Sequence, residues 1–144
     1  MTIRQLLEQK GHDVYTISPD ASVYDAIKEM ADRGVGALLV TEGDKLVGIV
    51  SERDYARKVI LKGRSSRETP VREIMTEDVI YIRPEETIEQ AMAVMVEHRI
   101  RHLPVLDGER IVGVVSIGDV VKSIIQNQQF VIEQLTHYIH GKSS

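Results

Sequence analysis

Ile3, Leu6 and Leu7 fall at i, i+3 and i+4, the spacing of one helix face, and Gly11 follows in the position that ends such a helix. A short extended run, Val14 to Ile17, closes at Ser18-Pro19, because the residue before a proline is pushed out of helical conformation. The spacing then predicts a helix after Ser22, with Val23, Ala26, Ile27 and Met30 on its inner face and Asp25 completing a capping box. Gly34 and Gly36 end it. Two β-rich runs, Ala37 to Val40 and Leu46 to Val50, flank Glu42-Gly43-Asp44-Lys45, a tight hairpin signature. From Asp54 a further helix is expected, with Tyr55, Val59 and Ile60 inward, ending near Gly63.

The same pattern then starts again at an offset of 113 − 48 = 65 residues. Pro84 matches Pro19, Ala91 matches Ala26, Met95 matches Met30, Val105 matches Val40 and Gly108 matches Gly43. Thr87 and Gln90 rebuild the capping box, and Ile88, Ala91, Met92, Met95 and Val96 rebuild the apolar face. Two copies this alike are expected to pack about a pseudo-two-fold axis, since each has an apolar face it cannot bury alone. Beyond the second copy, Val121, Ile125, Ile132, Leu135 and Ile139 continue in steps of four and three, with Gln128 as the polar member. That helix would run about 30 Å at 1.5 Å per residue, and it packs either on its own body or along a second subunit.

The duplicated chemistry is Gly48-Ile-Val-Ser-Glu-Arg-Asp54 and Gly113-Val-Val-Ser-Ile-Gly-Asp119. In each, a strand runs into a serine, and an aspartate three residues later opens a helix. Such a serine caps a helix, and the aspartate suits the positive end of its dipole. Free N–H groups and a hydroxyl at the same place suit a phosphate, and a carboxylate can accept two ribose hydroxyls. Cap and ligand site share one geometry, so the motif alone leaves both open.

Composition narrows the rest. The chain of 144 residues is 42% apolar and 28% charged, ordinary for a globular protein. Its net charge of −4 argues against a general nucleic-acid binder. One basic cluster, Arg57, Lys58, Lys62, Arg64, Arg67 and Arg72, surrounds a stretch without apolar side chains, Lys62 to Thr69, that reads as a surface linker; it has no interleaved aromatics to stack bases. There is no cysteine, which removes disulfides and thiolate chemistry. No apolar run approaches a membrane span or a signal h-region, so a cytoplasmic protein is expected. His137 and His140 could share a helix face but have no third ligand nearby, Gly141-Lys142-Ser143 lacks the earlier glycine of a phosphate loop, and no serine has a histidine in its motif. Neither a metal site nor an enzyme is expected.

These repeats resemble the cystathionine-β-synthase (CBS) domain, and the pair resembles a Bateman module of the stand-alone bacterial kind. The likeness rests on the two Gly-to-Asp motifs, on Pro70-Val-Arg-Glu-Ile-Met75, and on His98-Arg-Ile-Arg-His-Leu-Pro-Val105. It implies an α+β fold of two β-α-β-β-α repeats with a long C-terminal helix: residues 1–63 with the lead-in helix, a linker at 64–70, a second repeat at 71–126 and a tail at 127–144. The resemblance further implies a regulatory module that binds an adenine nucleotide between the repeats, AMP ahead of ATP and NAD(H), needs no metal, forms a homodimer and acts on a protein partner. Carried over by position, Asp54 and Asp119 would hold ribose hydroxyls, and Ser51 and Ser116 would meet phosphate. Thr16, Ile17 and Pro19, with Tyr81, Ile82 and Pro84, would line the adenine pocket. The halves differ in charge: Arg99, Arg101 and His102 stand where the first repeat has Gly34, Gly36 and Ala37, and Arg53 stands opposite Gly118. Guanidinium groups fit phosphate oxygens, so Arg101 and His102 are expected at a phosphate, Arg53 or Arg57 at a longer ligand, and the two sites are expected to be unequal. A ligand-independent dimerisation domain and a nucleic-acid module are the competing readings.

Overall fold

The computed structural model describes the backbone of residues 1–143 and the side chains of residues 1–137. Helix α1 (Ile3–Lys10) starts on a capping box between Thr2 and Gln5 and ends at Gly11. Strand β1 (Thr16–Ile17) is followed by α2 (Val23–Arg33), capped by Ser22 and closed by Gly34 in the left-handed region at φ 67°. Strands β2 (Ala37–Glu42) and β3 (Lys45–Ser51) form an antiparallel hairpin, and β1 joins its β2 edge in parallel. The tight connection uses Gly43 at φ 61°, a conformation a side chain would resist. The second repeat follows with α4 (Ile88–His98), β4 (His102–Asp107) and β5 (Arg110–Ser116), its hairpin turning on Gly108 at φ 64°. A single parallel bridge, Ile82 to Val105, stands in for β1.

After Ser51 the chain enters helix α3 (Glu52–Tyr55), which widens at once into a π-helical turn over Ala56–Ile60. The wider turn changes which residues face inward. Val59 is buried and Tyr55 packs on the core, but Ile60, expected inside, is 56% exposed. Val96 also departs from expectation at 68% exposed. At about 100° per residue it sits well off the line through Ile88, Ala91 and Met95, which are buried.

There are two hydrophobic cores, and the chain crosses between them. Val23, Ala26, Met30, Leu38, Val40, Val50 and Val59 make the first core together with Val71 and Ile74, which lie beyond the linker. Ile3, Leu6 and Leu7 of α1 pack instead into the second core, with Ile82, Ile88, Met95, Leu103 and Val115. Each core is thus closed by the segment that precedes the other repeat. Two glycines permit the close approach: a Cβ on Gly113 would lie 2.6 Å from Leu7 Cδ2, and one on Gly48 would lie 2.7 Å from Met75 Sδ.

The stretch read as a linker is anchored. Tyr24 N–H donates to Ser66 O and Val23 N–H to Thr69 O, and Thr69 is buried. The basic cluster is largely spent on local partners: Lys58 on Asp54, Arg64 on Glu73, Arg72 on Asp20, and Arg67 stacked over the Tyr24 ring. Helix α5 (Ile117–Ser143) leaves the body after its first turns; Val120 and Ser123 are buried and every residue from 125 to 137 is exposed. The side chains of Ile139, His140 and Lys142 lie outside the described residues. Among the described residues, no helix is long and apolar enough to cross a membrane.

Candidate functional site

Both duplicated motifs end a strand and open a helix. At the first, Ser51 Oγ accepts from Asp54 N–H at 3.2 Å, while Asp54 Oδ2 accepts from Ser51 N–H at 2.9 Å and from Ser51 Oγ at 3.1 Å. Lys58 Nζ lies 3.1 Å from Asp54 Oδ1. At the second, Ser116 Oγ accepts from Asp119 N–H at 3.1 Å and Asp119 Oδ2 accepts from Ser116 N–H at 2.8 Å. Its ammonium comes from elsewhere: Lys10 Nζ, at the end of α1, is 2.8 Å from Asp119 Oδ2 and donates to Val114 O at 2.7 Å. The capping role is therefore realised in full, and it fixes where both carboxylates stand. Among the described residues, the bonds to the Asp119 carboxylate fall on Oδ2.

Each motif borders a cavity completed by the other repeat. The first, of about 350 Å³, brings Ser51, Arg53 and Asp54 together with Asp78, Ile80 and the loop Arg99–His102. The second, of about 400 Å³, brings Ser116 and Asp119 together with Lys10, Asp13, Tyr15 and the loop Arg33–Ala37. The two loops correspond at the repeat offset, as do Asp13 with Asp78 and Tyr15 with Ile80. Gly36, Ala37, Ile49 and His102 border both cavities, so the two meet at the pseudo-axis.

Charge separates them. In the first cavity Arg53 donates to the carbonyl of Arg99 at 3.1 Å, and among the described residues Arg53, Arg99 and Arg101 form no ion pair. In the second, Lys10 is held by Asp119, and Arg33 donates to Glu29 at 2.9 Å while stacking over Tyr15. Arg99 adopts φ 55°, left-handed for a residue with a side chain, where the first repeat places Gly34. Such a conformation costs of order 1 to 3 kcal/mol and persists only where the surroundings hold it; here it presents the carbonyl that Arg53 binds. Burial lowers the pKa of His102, against the pull of the Asp119 and Glu52 carboxylates, with Arg101 and Lys10 adding to the depression. For Asp119, burial raises the pKa, but the Lys10 ammonium and the Ser116 bonds outweigh it and leave the carboxyl below its ordinary value.

The residues taken from the first strand of each repeat stand elsewhere. Thr16 and Tyr81 border a separate open cleft of about 1230 Å³ between the hairpin tips. Ile17 packs on the first core, Ile82 is buried, and Pro19 and Pro84 are buried, their carbonyls receiving Arg72 and Arg4 N–H. The residues that do face the two cavities, Tyr15 and Ile80, lie one position earlier, on the opposite side of an extended chain. Sequence reading passed over them along with Lys10, Asp13, Asp78, Glu52 and Arg33. Of these, only Asp13 and Asp78 carry a signal in the sequence, as identical residues at the repeat offset.

Two repeats with swapped closing segments, meeting at a pair of Ser-x-x-Asp clefts, define the class: the chain belongs to the CBS-domain family, whose model matches residues 10–61 and 71–126. Among curated proteins it is 41% identical to the mitochondrial CBS domain-containing protein CBSX3 of Arabidopsis thaliana, over 97% of this chain and 72% of that one. Among solved structures it superposes on a protein with CBS domains from Burkholderia ambifaria with a TM-score of 0.86 and 54% identity, covering 89% of this chain and 96% of that chain. It shares its fold with a CBS domain pair solved in complex with 5′-methylthioadenosine and S-adenosyl-L-methionine (TM-score 0.79, 24% identity, 88% and 98% covered).

Proposed function

We propose that this CBS pair is a sensor of adenine nucleotides, without catalysis of its own, which binds AMP, ATP or NAD(H) in its two clefts and passes the change in conformation or assembly to a protein partner. The observation that carries the reading is the pairing of a fixed aspartate, an acceptor for a ribose diol, with a cavity built from both repeats. Volumes of about 350 and 400 Å³ fall in the range of small-molecule sites. The neighbour in complex with two adenosine-containing ligands supports the ligand class. Among the described residues, Arg53, Arg99 and Arg101 are cations of the Asp54 cleft outside any ion pair, so phosphorylated ligands belong there first. The Asp119 cleft, whose cations are already engaged, favours the nucleoside end of a ligand over its phosphates. Tyr15 and Ile80 supply apolar surface for the base.

Isothermal calorimetry of ligand-stripped protein with AMP, ATP and NADH, alongside Asp54→Ala and Asp119→Ala, tests this. Saturable binding with one site lost per variant is expected. Absence of heat from a folded, ligand-free sample would sink the reading. The competing reading, a scaffold whose motifs serve only as caps, draws on the reciprocal Ser51–Asp54 and Ser116–Asp119 bonds; under it the same variants lose stability and have no ligand to lose.

A further inference from the structure

The π-helical turn that ends the first repeat turns aliphatic surface outward. Leu61 N–H donates to Ala56 O at 3.1 Å, five residues back, and the widened turn leaves Ile60 and Leu61 together on the outside. Leu61, at 76%, is the most exposed large apolar residue among those described. Gly63, at φ 65°, then reverses the chain, and Arg64 N–H donates to Val59 O, so the pair tops a tight, bonded projection rather than a loose loop. None of the three cavities described above is bordered by either residue.

Cations ring this projection. Residues 57–73 hold six of them against two carboxylates, Glu68 and Glu73, a net charge of 6 − 2 = +4 in a chain of −4, so the remainder of the molecule carries −8. Lys58 is held by Asp54 and Arg72 by Asp20, but Arg57 and Lys62 form no ion pair among the described residues. Arg67 lies over the Tyr24 ring, which leaves its charge unneutralised, and the Arg64–Glu73 pair is half-exposed and therefore weak. An aliphatic projection rimmed by cations fits an anionic bilayer: the apolar side chains enter the headgroup boundary while Lys and Arg meet lipid phosphates. The −8 elsewhere is repelled by such a surface, so charge alone orients the molecule with this patch toward it. The same +4 repels a second copy of the patch, and with Arg67 stacked on Tyr24 there is no free aromatic platform for bases. We propose that Ile60 and Leu61, with Arg57, Lys62, Arg64 and Arg67, form a peripheral contact with anionic phospholipid bilayers. The contact lies at the opposite end of its helix from Asp54 and does not depend on the sensor reading.

The chain has no tryptophan, so one placed in the patch reports its own surroundings. Full-length Leu61→Trp and, as a control at a comparably exposed apolar position on α4, Val96→Trp are mixed with vesicles of phosphatidylcholine containing about one third phosphatidylglycerol, and with vesicles of phosphatidylcholine only. A blue shift in the emission of Leu61→Trp on the anionic vesicles, weakened by salt and not shared by Val96→Trp, is expected. In flotation, wild type should bind the anionic vesicles at least about tenfold more tightly than the neutral ones, and Arg57→Gln and Lys62→Gln should each weaken that binding about fivefold. Ile60→Ser combined with Leu61→Ser should weaken it by about fivefold or more with the circular dichroism spectrum unchanged. Wild type that fails to float with the anionic vesicles, an equal blue shift at Val96→Trp, or binding indifferent to the paired serine substitutions overturns the proposal. So does an RNA duplex bound as tightly as the vesicles and unaffected by the serines, which marks a general polyanion surface.

Discussion

Gly113→Ala should destabilise the protein through the lead-in helix rather than through the strand that carries the substitution. Gly113 needs no special backbone conformation; its φ is not positive. What it lacks is room. An added Cβ would sit 2.6 Å from Leu7 Cδ2, 2.9 Å from Cδ1 and 3.3 Å from Cγ. All three overlapped atoms belong to the Leu7 side chain, which is 1% exposed, so relief requires that buried side chain to shift from its place in the second core. Overpacking of this kind costs about 1 to 3 kcal/mol. For a domain of this size that lowers Tm by about 2 to 4 °C per kcal/mol. Urea unfolding of wild type, Gly113→Ala, Leu7→Ala and the double variant measures the coupling. Leu7→Ala alone should cost about 2 to 5 kcal/mol, and the double variant should be more stable than the sum by roughly 0.5 kcal/mol or more, because the new methyl enters the space the leucine leaves. A neutral Gly113→Ala, or strictly additive effects, would refute the account of the motif glycine as a docking notch for α1.

Further outcomes follow from the clefts and caps. Arg101→Ala should weaken nucleotide binding in the Asp54 cleft by roughly 10- to 100-fold, the loss of a charge-assisted bond, while calorimetry with adenosine stays within a few-fold of wild type. If nucleotide phosphate sits beside His102, whose pKa burial lowers, binding near pH 6 should take up a proton, read as a dependence of calorimetric heat on buffer ionisation that His102→Ala removes. The depressed Asp119 pKa means its bonds stabilise the fold above about pH 4, the unfolded carboxylate value, and that this stability is lost as pH falls through the lower folded value. The advantage of wild type over Lys10→Met in urea should therefore be full at pH 7 and shrink below pH 4. Thr87→Ala should cost about 1 kcal/mol by loss of the α4 cap, measured by the same unfolding curves.

Most of the architecture was legible because the repeat states everything twice. The helix caps at Ser22, Ser51 and Thr87, the hairpin glycines 43 and 108, and the apolar faces of α2 and α4 all follow local rules that act within a few residues. What escaped were features decided by contacts distant in sequence. Nothing in the spacing of Ile3, Leu6 and Leu7 says which core they enter, and α1 enters the one that begins some eighty residues later. The π turn after α3 rotates Ile60 outward although its apolar neighbours suggest an ordinary helix. In extended chain a shift of one residue exchanges the two faces, which is why Thr16 and Tyr81 border the hairpin-side cleft while Tyr15 and Ile80 border the cavities beside the aspartates. Lys10 beside Asp119 depends on the same long-range docking of α1 and carries no local signal.

The exchange of closing segments has a consequence for how the molecule comes apart. Cutting between Gly63 and Pro70, where composition suggests a boundary, would strip Val71 and Ile74 from the first core and leave Ile3, Leu6 and Leu7 attached to the wrong piece. Neither fragment would own a finished interior. The two halves are therefore fastened like clasped hands: loosening one withdraws the strap that holds the other, and calorimetry should record a single melting transition despite the two separate sheets.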